Sequence, residues 1–245
     1  MLILYIILAI LPSIVLSVYV YKKDYIEKEP ISMLLILFLL GVVITIPVSL
    51  LENSISYLVN FDDNNLLHCF IKNFFVVAAV EEGYKYLVTY TVSWNSKNFD
   101  HIFDGIVYAT FTSLGFATLE NILYIIISLT NNGTTEALRT CLLRALVSVP
   151  GHAFYAVASG YYLGLAKYYK TLGYQRNKRI FIAMSIIVPI IIHGTFDFLL
   201  VIDNKYILVA FFAFVGVLYL MSYLKIRNIY KTQMTLKLKG SEDNE

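Results

Sequence analysis

Charge is what this sequence has least of. Asp, Glu, Lys and Arg make up 15% of its 245 residues, against roughly a quarter in a soluble domain. That shortage excludes an ordinary water-exposed globule, whose surface is built from those residues. The net charge is only +2, so its sum says little, and nothing in the chain marks a nucleic-acid partner. Cysteine is nearly absent: Cys69 and Cys141 lie in or beside apolar segments and read as packing residues, not as a disulfide or metal pair. Also missing are a glycine-rich phosphate loop, a serine–histidine or cysteine–histidine set, an HExxH pair and any internal repeat. The first apolar segment has no basic stretch before it and no small-residue cleavage site after it. It is therefore expected to be a retained helix and not a removed signal.

What is present is apolar sequence in long runs. Hydrophobic residues account for 58% of the chain and mean hydropathy is +0.69. Residues 31–51 contain no charge at all, and about 20 such residues cross ~30 Å of hydrocarbon. Seven apolar segments can be drawn, at residues 2–21, 31–51, 68–93, 102–128, 138–166, 180–202 and 206–224. The expected fold is an all-α, polytopic transmembrane bundle of seven spans, or eight if residues 139–167 divide at "VPGH". Residues 1–225 form the membrane domain, with a polar core at 74–199, and residues 226–245 form a poorly ordered tail. Cytoplasmic loops are enriched in Lys and Arg. Loops 22–30, 94–101 and 167–179 with residues 225–245 hold 14 of them, and the opposite loops hold only Lys205. The N-terminus is thus expected outside and the C-terminus in the cytoplasm.

Ionisable side chains cost about 2.5–3.5 kcal/mol each at a helix centre in lipid. The third to sixth segments nevertheless carry Glu81, Glu82, Lys85, Asp104, Glu120, Arg144, His152, His193 and Asp197. The first, second and seventh carry none. Glu81 and Lys85, His193 and Asp197, and the series Arg144, Ser148, His152 are each spaced four apart, so each falls on one helix face. Singly, each has a plain structural reading: an intrahelical ion pair, a satisfied interior histidine, an acid in the headgroup zone. Nine together predict four helices lining one polar cavity. Carboxylates and histidines around a cavity can move protons to and from water or hold a divalent metal. Adjacent acids are a common arrangement for taking up and returning a proton.

In order along the chain, "EEGYK" fits EExxK, "FATLE" fits FxxxE and "HGTFD" fits HxxxD. With "FDGIVYATFTSLGFATLENILY" and "RALVSVPGHAFYA", these residues resemble the PrsW family of bacterial intramembrane proteases over residues 74–199. That family is distantly similar to CAAX prenyl endopeptidases and bacteriocin-immunity proteins, which carry EExxxR and FxxxH in related places. The resemblance implies a multi-pass protein of the bacterial cell membrane. It further implies the first (site-1) cut, on the outer side, in a single-span anti-sigma factor, which frees a stress-response sigma factor. Carried over by position, Glu81 and Glu82 are the catalytic acids, and Glu120, His193 and Asp197 complete the site. Lys85, Arg144 and His152 support it. The endopeptidase relatives favour a glutamate mechanism with no cofactor. The alternative is zinc, drawing on Glu120, His193 and His152 or Asp197. At about 1.5 Å per residue, Glu120 lies ~27 Å from the cytoplasmic start of its segment and His193 ~20 Å along its own, so the cavity is expected to lean outward. The rivals are a proton-coupled transporter with a Glu–His–Asp relay, against which the lack of inverted repeats counts, and an immunity-type protein without catalysis.

Overall fold

With no water in a bilayer core, a spanning backbone must satisfy its own N–H and C=O groups. The uncharged runs accordingly become helices. A computed structural model of the chain describes residues 2–24 and 27–242, which are helical with short connections and, among the described residues, no strand. The elements are α1 (Leu2–Lys23), α2 (Ile31–Val59), α3 (Leu66–Ile71), α4 (Ala79–Ser93), α5 (Ile102–Leu143), α6 (Val149–Thr171), α7 (Gln175–Val201) and α8 (Lys205–Glu242). Among the described residues, five helical stretches are long and apolar enough to cross a membrane. Their outward faces are apolar, as at Leu39 on α2 and Val209 on α8, 60% and 69% exposed, which suits contact with lipid tails. The polytopic helical bundle expected from the hydropathy pattern is what the chain forms. α8 continues past residue 225 to Glu242; residues 243–245 lie outside the described part.

Two wider, π-type segments interrupt the α geometry. Lys72–Ala78 joins α3 to α4, and Arg144–Ser148 joins α5 to α6. The second explains why "VPGH" does not divide its span. Pro150 falls in the first turn of α6, directly after the widened turn, where its missing N–H is tolerated. The turn between residues 102–132 and the returning limb is made at Gly133, whose φ of 83° lies in the left-handed region.

The returning limb packs on the outgoing one through glycine. A Cβ at Gly105 would lie 2.4 Å from the Gly160 carbonyl oxygen, and one at Gly160 would lie 2.2 Å from that of Gly105. The same device sets α2 on α5, where a Cβ at Gly115 would meet the Phe38 carbonyl at 2.0 Å. Lipid offers no hydrophobic drive for helix association, so close backbone approach of this kind carries it. It brings α4, α5, α6 and α7 within side-chain reach of one another.

Candidate active site

Glu81 and Glu82 stand in the first turn of α4, with Lys85 one turn on, and all three are buried (4%, 3% and 4% exposed). The Lys85 ammonium donates to Glu81 Oε2 at 2.6 Å and to Glu82 Oε1 at 2.9 Å. It lies 4.2 Å from the centre of the Phe116 ring. The plain ion pair is therefore present, but the lysine bridges both acids and also reaches His152 Nδ1 at 3.1 Å. With Nδ1 accepting, His152 Nε2 donates to Glu120 Oε2 at 2.8 Å. Arg144 Nη2 stands 2.8 Å from the same Glu120 oxygen, off the line of a hydrogen bond, so that link is ionic. Arg144 Nε donates to Asn121 Oδ1 at 2.7 Å, which fixes the guanidinium.

From α7, His193 closes the cluster. Its Nδ1 is 3.0 Å from Glu82 Oε1 and its Nε2 is 3.1 Å from Asp197 Oδ2. A proton on either nitrogen thus has a carboxylate to accept it. The Tyr155 ring stacks on the imidazole at 4.5 Å and 15°. Gly194 lets the widened segment before α4 come close, since a Cβ there would lie 2.6 Å from the Phe74 ring. Both π-type segments end within a turn of a cluster side chain, Glu81 and His152; such widenings are frequent at functional sites.

Eight of the nine residues singled out in the sequence form one connected network: Glu81, Glu82, Lys85, Glu120, Arg144, His152, His193 and Asp197. Asp104 does not join it. Its Oδ2 accepts from the backbone N–H groups of Asp100 and His101, capping the start of α5 at the far end of that limb. Three participants escaped the sequence reading: Asn121, Tyr155 and Glu52. Glu52 Oε1 is buried with no hydrogen-bond partner among the described residues, and the carboxyl is within electrostatic reach of Glu81, Glu120, Lys85 and His193. A signal for it did exist. Gly41, Thr45 and Val48 form the buried stripe of α2, and the next step at that spacing is Glu52.

The cluster also carries the donors of a metal site. One ligand atom from each of Glu81, Glu82 and His193 lies within 4.8 Å of the others. Carboxylate and imidazole are donors that zinc accepts, and His193 has Asp197 behind its second nitrogen, as ligating histidines usually do. Five carboxyls (Glu52, Glu81, Glu82, Glu120, Asp197) here face two fixed cations, Lys85 and Arg144. The residues therefore fit a divalent ion in donor type, spacing and charge, although HExxH is missing. The ligand trio differs from the one drawn from the sequence, taking both α4 acids in place of Glu120 and His152 or Asp197. As the side chains stand, the Lys85 ammonium holds the position between the two acids.

Known proteins resemble the chain over most of its length. The profile of a family described as "PrsW family intramembrane metalloprotease" matches residues 29–224. The chain is 32% identical to "Protease PrsW" of Clostridioides difficile (strain 630), over 86% of this chain and 85% of that protein. It is 36% identical to the Oceanobacillus iheyensis protein of the same name, over 78% and 80%. To that of Bacillus subtilis (strain 168) it is 34% identical, over 81% and 83%. No solved structure matches.

Proposed function

The chain belongs to the PrsW family of intramembrane proteases, and on that premise we propose that its polar cluster hydrolyses a peptide bond in a single-span membrane protein. One observation carries the assignment of residues. Two adjacent buried carboxylates, bridged by a lysine and joined to two histidines, converge from three helices in an otherwise apolar bundle. The two acids differ in their surroundings. Glu82 Oε1 accepts from Lys85 and faces His193, whereas the Glu81 carboxylate, among the described residues, accepts only from Lys85, at Oε2. Glu81 is therefore the base, and Glu82 holds Lys85 and His193 in place.

Glu81 takes a proton from a water, and the water oxygen bonds to the scissile carbonyl carbon. The developing oxyanion takes a hydrogen bond from the Nδ1–H of His193, which turns from Glu82 Oε1 to it, while Asp197 keeps hold of the ring at Nε2. The C–N bond then breaks, and the proton held by Glu81 passes to the leaving amine. The Lys85–His152–Glu120–Arg144 chain keeps the acids and histidines in register. A divalent ion held by Glu81, Glu82 and His193 would add Lewis-acid polarisation of the carbonyl. The outward lean expected of the cavity and the 14-to-1 basic count favour a first cut on the outer side of an anti-sigma factor, freeing a stress-response sigma factor.

To test this, membrane proteins from cells with and without the gene are compared, and single-span proteins that accumulate uncut are taken as substrates. Such a substrate, reconstituted in liposomes with the purified protein, is expected to be cut. Glu81→Gln, which keeps the shape of the side chain, is expected to remain folded in the membrane and to cut at least ~100-fold more slowly. Cutting by Glu81→Gln at the wild-type rate overturns the assignment.

A further inference from the structure

Behind α6, away from the catalytic cluster, lies a second concavity of about 810 Å³. It falls within the size range of small-molecule sites. His152 and Tyr155 face the cluster, whereas Pro150, Ala153, Phe154 and Val157 line this groove, roughly opposite on the helix. α1 and α8 form its walls, and the start of α5 closes one end. Along α1 it runs from Val15 to Asp24, ~14 Å at the helical rise, or about half of a ~30 Å hydrocarbon core. It is apolar along this length and becomes polar only at the end, where Lys23, Asp24, His101, Asp104 and Arg227 gather.

Asp24 is the unusual member. It is 2% exposed, and the Glu29 backbone donates to its carboxyl, yet Oδ2 has no partner among the described residues. Burial raises the proton affinity of this carboxyl, against the opposing pull of the Glu29 backbone, Lys28 and His101. A buried charge of this kind is costly unless paired. Lys23 and Arg227 line the same end of the groove, and the charges of Lys28 and His101 act on Asp24, so the polar end offers one anionic acceptor among cationic donors. An anionic headgroup would find the cations but would meet Asp24 as a repulsion. A choline head has no N–H to give to Oδ2. A head with a primary ammonium next to its phosphate matches both parts.

We propose that this groove holds one phospholipid with an ethanolamine-type headgroup. Its ammonium donates to Asp24, its phosphate meets Arg227 and Lys23, and one acyl chain lies along α6 between α1 and α8. The assignment does not depend on the proteolytic reading. A divalent cation is the competing occupant, since ligand atoms of Asp100, His101 and Asp104 also lie within 4.8 Å of one another. Asp104 Oδ2 is already used by two backbone N–H groups, which argues against it.

The test uses the full-length protein, stripped of lipid in detergent. Phosphatidylethanolamine, phosphatidylglycerol and phosphatidylcholine are titrated in turn, and bound lipid is counted by native mass spectrometry. One phosphatidylethanolamine per chain is expected, held about tenfold more tightly than the other two, with that preference lost in Asp24→Asn. Ala153→Phe, which fills the groove, is expected to abolish retention of all three, and it decides the matter if Asp24→Asn does not fold. Equal retention of the three lipids, retention unchanged by Ala153→Phe, or stoichiometric calcium or zinc lost in Asp24→Asn would each overturn the proposal.

Discussion

At the scale of single residues, a bilayer makes ionisable side chains conspicuous because each is costly to bury there. Glu81, Glu82, Glu120, His193 and Asp197 stand out in apolar text, and their four-residue spacings told which shared a face. What could not be read is pairing between helices. Lys85 bridging to His152, or Glu120 shared by His152 and Arg144, depends on how the helices are docked. Tyr155 was hidden as one aromatic among many, and Glu52 because its charge ends an apolar run and looks like the start of a loop. The same scale separates the two mechanisms. The family's description favours a metal, and the donors for one are present. The Lys85 ammonium, however, already donates to both acids, so an ion would have to displace it. Proteolysis is accordingly expected to survive dialysis against a strong chelator. Activity lost on chelation and restored by zinc would make Glu81, Glu82 and His193 ligands and remove Glu81 as a free base.

At the scale of elements, hydropathy marked where the helices run but not how closely they approach. Glycines at the crossings decide that. A side chain at Gly160 would strike the backbone of Gly105 and Ile106 at 2.2–2.6 Å, and backbone cannot swing aside as a side-chain tip can. Gly160→Leu is therefore expected to exceed the ~1–3 kcal/mol of ordinary overpacking and to yield protein that aggregates in size-exclusion chromatography. Gly83, next to Glu82, is the control, because a Cβ there meets nothing within 4 Å. Gly83→Ala should remove a helix penalty of up to about 1 kcal/mol, raise the melting temperature and leave the cluster in place. An unstable Gly83→Ala or a well-behaved Gly160→Leu would contradict the packing described. The π-type segments had no signature in the sequence. Lys72–Ala78 reads as continuous helix, and Pro150 left open a division into two spans because the widened turn that accommodates it could not be anticipated.

At the scale of the whole molecule, the basic residues gather in the loops on one side. A reporter fused after Lys225 is expected in the cytoplasm and one inserted at Asp62 outside; an external C-terminus would break the parity on which outer-side cleavage rests. The end of the bundle expected in the cytoplasm also holds an acid that ties stability to pH. Glu29, between α1 and α2, is 3% exposed and accepts from the Tyr108 hydroxyl. Burial pushes its carboxyl up from 4.5 to about 7, with Asp24, Asp100 and Glu27 adding to the rise and the Tyr108 bond opposing it. A raised acid binds its proton more tightly folded than unfolded, so its stabilising contribution is complete below about 4.5 and is lost as pH climbs through about 7. Glu29→Gln keeps a neutral side chain of the same shape at every pH. The melting temperatures of the two proteins are therefore expected to agree at pH 4.5 and to part above it, with the wild type lower and the gap levelling off beyond about pH 7. A gap that is constant with pH, or one that opens on the acid side, would show that Glu29 is ionised throughout and that its burial against Tyr108 is wrongly described.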